Sequence, residues 1–256
     1  MHLPAEIRNI IYTYALTDPQ GINLVATFKH KRRTVERVSA ESQSQLAKYT
    51  QTATLNEKLR ASLTDPVTLI PSLLAVSKQI HAEARAILYA NEFVFADTFA
   101  LYNFMINFGP TAAAKELKKI RLLRWGHGRA MSMYNHACFA VLAWAENLTS
   151  FHVDASANGY YRSTKSAAEK FYRDAFPWLE AVARRSGKAD AALELLGWNV
   201  ETFESRSWNG TSQVVVPGEE KFEEFKEGVK KLLEAQQVRV MAPPKAKKRK
   251  VEKEEL

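Results

Sequence analysis

Two Glu-x-Arg triplets are the most orderly arrangement of ionisable side chains in the chain. Glu6 and Arg8 stand in AEIRNIIY at 5–12, and Glu83 and Arg85 in AEARAILY at 82–89, so the pattern A-E-x-R-x-I-[IL]-Y is written twice. A carboxylate and a guanidinium can pair with each other or hold a charged ligand. Two residues apart on a helix they diverge by about 200°, so neither triplet can pair within itself. Pairing must then run between the copies, Glu6 with Arg85 and Glu83 with Arg8, across two packed helices. Tyr12 and Tyr89 follow each Arg by four residues and lie beside it. They leave a second use of this face open, the binding of a ligand or partner.

Other chemistry is sparse. WGHGR at 125–129 places His127 and Arg129 in a glycine-flanked turn after a predicted strand, which reads as an ordinary surface turn or, alternatively, as the loop of an enzyme site. Cys138 sits on the apolar side of HACFAVLAW and reads as a small buried hydrophobe. The chain has no G-x-S-x-G elbow, no G-x-x-x-x-G-K-[ST] loop and no H-E-x-x-H pair. None of the six histidines is spaced from another so as to share a helix face for a metal. The sequence therefore predicts no catalytic residue, no cofactor and no metal, and the enzyme reading rests on the loop around His127 alone.

The net charge of +8 is local. KHKRRTVER at 29–37 carries +4 and KAKKRKVEKEEL at 245–256 carries +3, so the rest of the chain is nearly neutral. Either run could contact nucleic acid, although the run at 29–37 has no aromatic residue interleaved for base stacking. One cysteine allows no internal disulfide and suits a reducing compartment. No apolar run approaches the roughly 18–20 residues needed to span a bilayer, and the N-terminal residues lack the pattern of a secretory signal, so no membrane partner is expected.

The elements that must position these residues are predicted as a helix-rich mixed α/β fold. Residues 3–16 form an amphipathic helix whose stripe is Leu3, Ile7, Ile10, Ile11 and Tyr14, with Tyr12 off the stripe. Residues 20–65 are polar and read as a mobile insert. A long helix opened by Pro71 and Ser72 carries the second triplet, its stripe being Leu73, Val76, Ile80, Ala84, Ile87 and Leu88. A short strand at Phe93–Phe95 follows it, and from 97 to 238 helices alternate with strands at 119–125, 148–153, 191–198 and 212–216, with a closing amphipathic helix; a spacing of about 30 residues suggests parallel strands. A kink is expected at Pro177, and helix stops at Gly109 and Gly187. Residues 239–256 read as a basic disordered tail.

LPAEIRNIIYTYAL followed by Asp-Pro resembles the opening of an F-box, and LLAVSKQIHAEA resembles its second half. The two E-x-R triplets in these places resemble the fungal two-ExR, F-box-like proteins. The likeness covers residues 3–19 and about 66–96, so that 1–19 and 66–96 would form an F-box-like helical unit, 20–65 an insert and 97–238 an interaction domain. The resemblance implies docking onto the linker subunit of a cullin ubiquitin ligase through Leu3, Pro4, Ile7, Ile11, Leu74 and Val76, with an unidentified protein substrate held elsewhere. On the residues alone, these side chains are equally suited to closing the protein's own core. The expected role is a nuclear, non-enzymatic protein-interaction module. A nucleic-acid-associated protein using 29–37 and 245–250 is the first alternative.

The nuclear address rests on PPKAKKRKVE. Lys245, Lys247, Lys248, Arg249 and Lys250 crowd six positions behind two prolines that disfavour helix. The stretch resembles a monopartite nuclear-localisation signal, read in extended form by an import receptor. Replacing Lys247, Lys248 and Arg249 with Ala should move a fluorescent fusion of the full chain toward the cytoplasm. Unchanged nuclear accumulation would refute the signal.

Overall fold

A computed structural model describes residues 3–29, 32–49, 54–55, 64–125, 129–154, 163–199, 205–208, 213–216 and 218–241. The fold is mixed α/β and rich in helix. Helix α1 (Ala5–Leu16) leads to strands β1 (Ile22–Lys29) and β2 (Arg32–Arg37), helix α2 (Ala40–Tyr49) and the short strand β3 (Thr54–Leu55). After a 3-10 turn at Pro71–Ala75 come α3 (Lys78–Tyr89), β4 (Glu92–Phe95), α4 (Thr98–Phe108) and the single turn α5 (Ala112–Lys115). Then follow β5 (Lys119–Leu122), α6 (Arg129–Leu142), β6 (Ser150–Val153), α7 (Thr164–Ser186), α8 (Ala191–Leu195) and β7 (Leu196–Trp198). A separate hairpin of β8 (Ser205–Trp208) and β9 (Gln213–Val216) precedes α9 (Gly218–Met241).

The main sheet runs β2-β1-β4-β5-β6-β7. Every pair from β1 to β7 along this path is parallel, and β2 closes the edge antiparallel to β1. Spatial order follows chain order, and crossovers of one hand between successive neighbours deliver their helices to one face. That face holds the core. Phe93, Phe95, Ile120, Leu122, Phe151, Val153, Leu196 and Trp198 point into it from alternate strand positions and meet Leu101, Met105, Phe139, Phe171, Trp178 and Phe225 from the helices. The opposite face, at Arg121 and His152, is polar and partly exposed, with Arg121 Nε donating to Asp154 at 2.7 Å and His152 Nε2 lying 3.1 Å from the same carboxylate.

Several expectations hold. Of Asp97 and Thr98, the two N-cap candidates that DTFALYNF offers, Asp97 caps α4 by accepting from the Ala100 N–H at 2.8 Å. Gly109 and Gly187 end α4 and α7 with φ of 67° and 73°. Cys138 is fully buried.

Others are corrected. Residues 22–37 of the expected mobile insert form the hairpin that makes one edge of the main sheet, with Ile22, Leu24, Val25 and Ala26 buried. Residues 40–49 are helical, and Ser42 and Gln43 are buried, Gln43 Nε2 donating to the carbonyls of Leu24 and Val94 at 3.1 Å each. Polarity misled here because the buried groups are polar and satisfied by backbone. The long helix expected from Pro71 is split, and α3 is capped afresh by Ser77, whose side chain accepts from the Ile80 N–H. Residues 191–195 are helical before the strand. The domain boundary expected at 96/97 falls between β4 and β5, adjacent strands of one sheet. Pro177 lies inside α7, which runs as one helix from Thr164 to Ser186.

Gly21 turns the chain into β1 with φ 78°, and a Cβ there would meet the Glu92 carbonyl at 2.9 Å and the Val94 side chain at 3.1 Å. At Gly187 the conformation is similar but nothing lies within 4 Å. Gly187→Ala should therefore cost only the left-handed strain, about 1–2 kcal/mol. Gly21→Ala should cost clearly more, because the strain is joined by a backbone clash against β4. Urea unfolding of the two variants checks the order.

Candidate functional site

The two triplets lie on helices that lead into neighbouring parallel strands. Helix α1 leads to β1, α3 leads to β4, and Ile22, Asn23 and Leu24 register with Phe93, Val94 and Phe95. The motif therefore recurs because a helix-then-strand unit recurs. The side chain of Asn91 joins the two units where the helices end. Its Nδ2 donates to Leu16 O and Leu88 O at 2.8 Å each, and its Oδ1 accepts from the Asp18 N–H at 2.8 Å. Asp18 also takes the Arg37 guanidinium from β2.

Half of the expected cross-pairing is present. Arg8 grips Glu83 with two parallel bonds, Nε to Oε2 and Nη2 to Oε1, both 2.9 Å. Tyr12 donates its hydroxyl to Oε2 at 3.1 Å and Gln79 donates to Oε1 at 3.0 Å. With four donors on one carboxylate, and the Arg8 bond the largest influence, the Glu83 pKa falls from 4.5 to about 2. Arg8 is held more firmly protonated by the same bond, and burial raises the Tyr12 phenol. Arg8 and Glu83 side chains are 15% and 28% exposed. The other half of the lock is absent. Glu6 is exposed, and Arg85 pairs instead with Glu116 at 3.1 Å, after the turn α5. Tyr89 is half-buried between Phe93 and Phe108, and this burial raises its pKa.

The burial of α1 is the reverse of the expected stripe. Tyr12 and Leu16 are its buried residues, continuing the row begun by Arg8 at four-residue spacing. Leu3, Ile7, Ile10 and Ile11 are 44–51% exposed and Tyr14 is 85% exposed. A tyrosine was able to take the core position because its hydroxyl finds Glu83 at the rim while its ring is buried. The isoleucines then face outward as one strip at spacings of three and four.

Of the residues assigned to docking by the resemblance, Leu3, Pro4, Ile7, Ile11 and Val76 are exposed and Leu74 is half-buried. Leu74 packs against the protein's own core, and the other five do not close it. Exposed Val67 and Ile70 were missed by the sequence reading; Ile70 lies beside the end of α1, its N–H donating to Ala15 O at 2.9 Å. Ile10 and Tyr14 were legible from their spacing with Ile7.

His127 and the tail cations Lys245, Lys247, Lys248, Arg249 and Lys250 lie outside the described residues, as does the side chain of Arg129. Burial pushes the Cys138 thiol well up, which disfavours the nucleophilic thiolate. Among the described residues no group of His, Cys, Asp or Glu is arranged to hold a metal, and no helix is long and apolar enough to cross a membrane. A groove of about 400 Å³ between α7 and α9 is lined by Lys165, Glu169, Glu224, Glu227 and Lys231, a mixed set of charged side chains.

The domain of unknown function designated DUF7730 matches residues 1–147, more than half of the chain, and the chain belongs to that family. The matched span includes both triplets, the hairpin, the first three strands of the parallel path (β1, β4 and β5) and α6. No curated protein and no solved structure matches.

Arg8→Ala and Glu83→Ala should each destabilise the fold, and the double variant should cost less than their sum, because the second change removes a charge already orphaned by the first. Since the folded pKa of Glu83 is depressed, its contribution is complete above about pH 4.5 and is lost as pH falls toward 2. Glu83→Gln should flatten stability in that window. Additive losses in thermal unfolding, or an unchanged acid limb, would count against the lock.

Proposed function

We propose that the chain is a non-enzymatic nuclear protein-interaction module whose α1 face docks, in the manner of an F-box, onto the linker subunit of a cullin ubiquitin ligase, leaving the remaining surface to hold a protein substrate. The observation that supports this reading is the outward strip of Leu3, Ile7 and Ile11, with Val76 exposed from the segment before α3. Contiguous exposed apolar side chains on one helix mark an interaction face, since covering one isoleucine fully is worth about 1.5–3 kcal/mol. The Arg8–Glu83–Tyr12 bonds hold α1 by its other side and leave this strip available. The nuclear part of the reading rests on the sequence of the tail.

Binding of the purified full chain to recombinant linker subunit, followed by calorimetry, tests the proposal. Ile7→Asp with Ile11→Asp should abolish binding, by tenfold or more, and should leave the unfolding temperature nearly unchanged because both positions are exposed. Absence of binding by the unaltered chain, or full binding by the double variant, would sink the ligase reading.

A further inference from the structure

The basic run at 29–37 is supplied with aromatic partners by the fold. Arg33 reaches from β2 across the edge of the helical layer. Its guanidinium lies 5.7 Å from the centre of the Phe99 ring and 5.9 Å from that of Tyr134, and its Nη1 donates to the Tyr134 hydroxyl at 2.7 Å. Phe99 and Tyr102 come from α4 and Tyr134 from α6. The ring centres of Phe99 and Tyr134 are 4.6 Å apart and those of Tyr102 and Tyr134 are 5.6 Å apart. All three rings are partly exposed, Arg33 is exposed, and Met133 beside them is 68% exposed. The Asn107 side chain donates to Arg33 O at 3.1 Å, tying the strand to α4.

Neither α4 nor α6 contains an Asp or Glu. The charge over the rings is the Arg33 guanidinium, while Arg37 of the same strand is already held by Asp18. A cluster of accessible rings under an arginine, free of acidic residues along both helices, matches a polyanion that also carries flat faces.

We propose that Phe99, Tyr102 and Tyr134, with Arg33 laid across them, form a stacking platform for single-stranded nucleic acid, whose phosphates are attracted by the Arg33 guanidinium. Bases stack on aromatic faces without regard to sequence, and arginine adds a cation–π contact. A duplex offers no free base face and is a poorer occupant. The platform is separate from the α1 face, so it stands whether or not the ligase reading does.

Fluorescence anisotropy of the full chain with labelled oligo(dT) and oligo(U) tests the platform, with unlabelled heparin as a polyanion that has no bases. Tyr134→Ala should weaken oligonucleotide binding about 5- to 100-fold and leave heparin binding unchanged. Tyr134→Phe, which keeps the ring, should recover most of the affinity. Arg33→Ala should weaken both ligands and lower the salt slope for the oligonucleotide by about 0.7. The two oligonucleotides distinguish DNA from RNA as the occupant. Circular dichroism and thermal unfolding establish that each variant is folded, and Phe99→Ala gives a second ring deletion should Tyr134→Ala fail that control. Equal binding by folded ring-deletion variants, or heparin and oligonucleotide losses that run in parallel for those variants, would reduce the site to nonspecific charge and overturn the proposal.

Discussion

Two helices that end side by side over parallel strands must satisfy buried carbonyls at both C-termini, and this constraint organises the N-terminal half of the molecule. Asn91 meets it with a single amide, donating to the last carbonyls of α1 and α3 and accepting from the chain as it leaves α1. It is buried, so losing the amide would strand several backbone groups away from water. Once the helix ends are joined, the registers that follow are narrow. Gly21 must pass within van der Waals reach of the Glu92 carbonyl, and β1 then enters the sheet beside β4. The ion pair between Arg8 and Glu83 fixes the same two helices further up, toward their opposite ends, so each helix is held at two points.

This arrangement explains why the doubled motif is unequal in its pairing. In the first copy Arg8 points between the helices and finds the carboxylate of the second copy. In the second copy Arg85 points toward the next unit in the sheet and finds Glu116, just ahead of β5. With strands added in chain order, each helix has one earlier and one later neighbour. The arginine of the first unit and the glutamate of the second share an interface, whereas Glu6 stands where no earlier helix exists among the described residues. A symmetric lock would have required the two helices to face each other about a two-fold axis, and parallel αβ units are related by translation instead.

How much was legible follows from this geometry. Apolar strands at 119–122 and 150–153, the caps at Asp97 and Gly187 and the parallel alternation could be read, because a buried parallel sheet writes apolar runs with helices between them. Residues 20–49 could not, because their buried members include Asn23, Thr27, Ser42 and Gln43, which are satisfied by hydrogen bonds that no periodicity reveals. The pairing of Arg8 with Glu83 could be proposed from the repeat, but the choice of face on α1 could not. Periodicity finds the apolar stripe of a helix, and it cannot tell whether the core or a partner will cover it. On α1 the core took the tyrosine and the arginine, both satisfied by one carboxylate. In sequence the basic run at 29–37 has no interleaved aromatic residue, whereas the topology brings Phe99 and Tyr134 beside Arg33.

The uneven distribution of burial also bears on what the surfaces can do. Parallel strands ordinarily need both faces covered. On the face away from the main core, α2 packs against β1, where Val25 and Val94 are buried and Gln43 donates to the carbonyls of Leu24 and Val94. Further along that face Arg121 and His152 are partly exposed, Arg121 donates to Asp154, and Gly197 leaves room for the imidazole, to which an added Cβ would come within 2.7 Å. The α1 strip is instead apolar and exposed, and the Arg33 platform combines accessible rings with one guanidinium. Of the three surfaces, only the latter two present groups whose transfer out of water, or whose charge, another molecule would improve. They sit on different elements, α1 in one case and β2, α4 and α6 in the other, so occupancy of one does not sterically require the elements of the other.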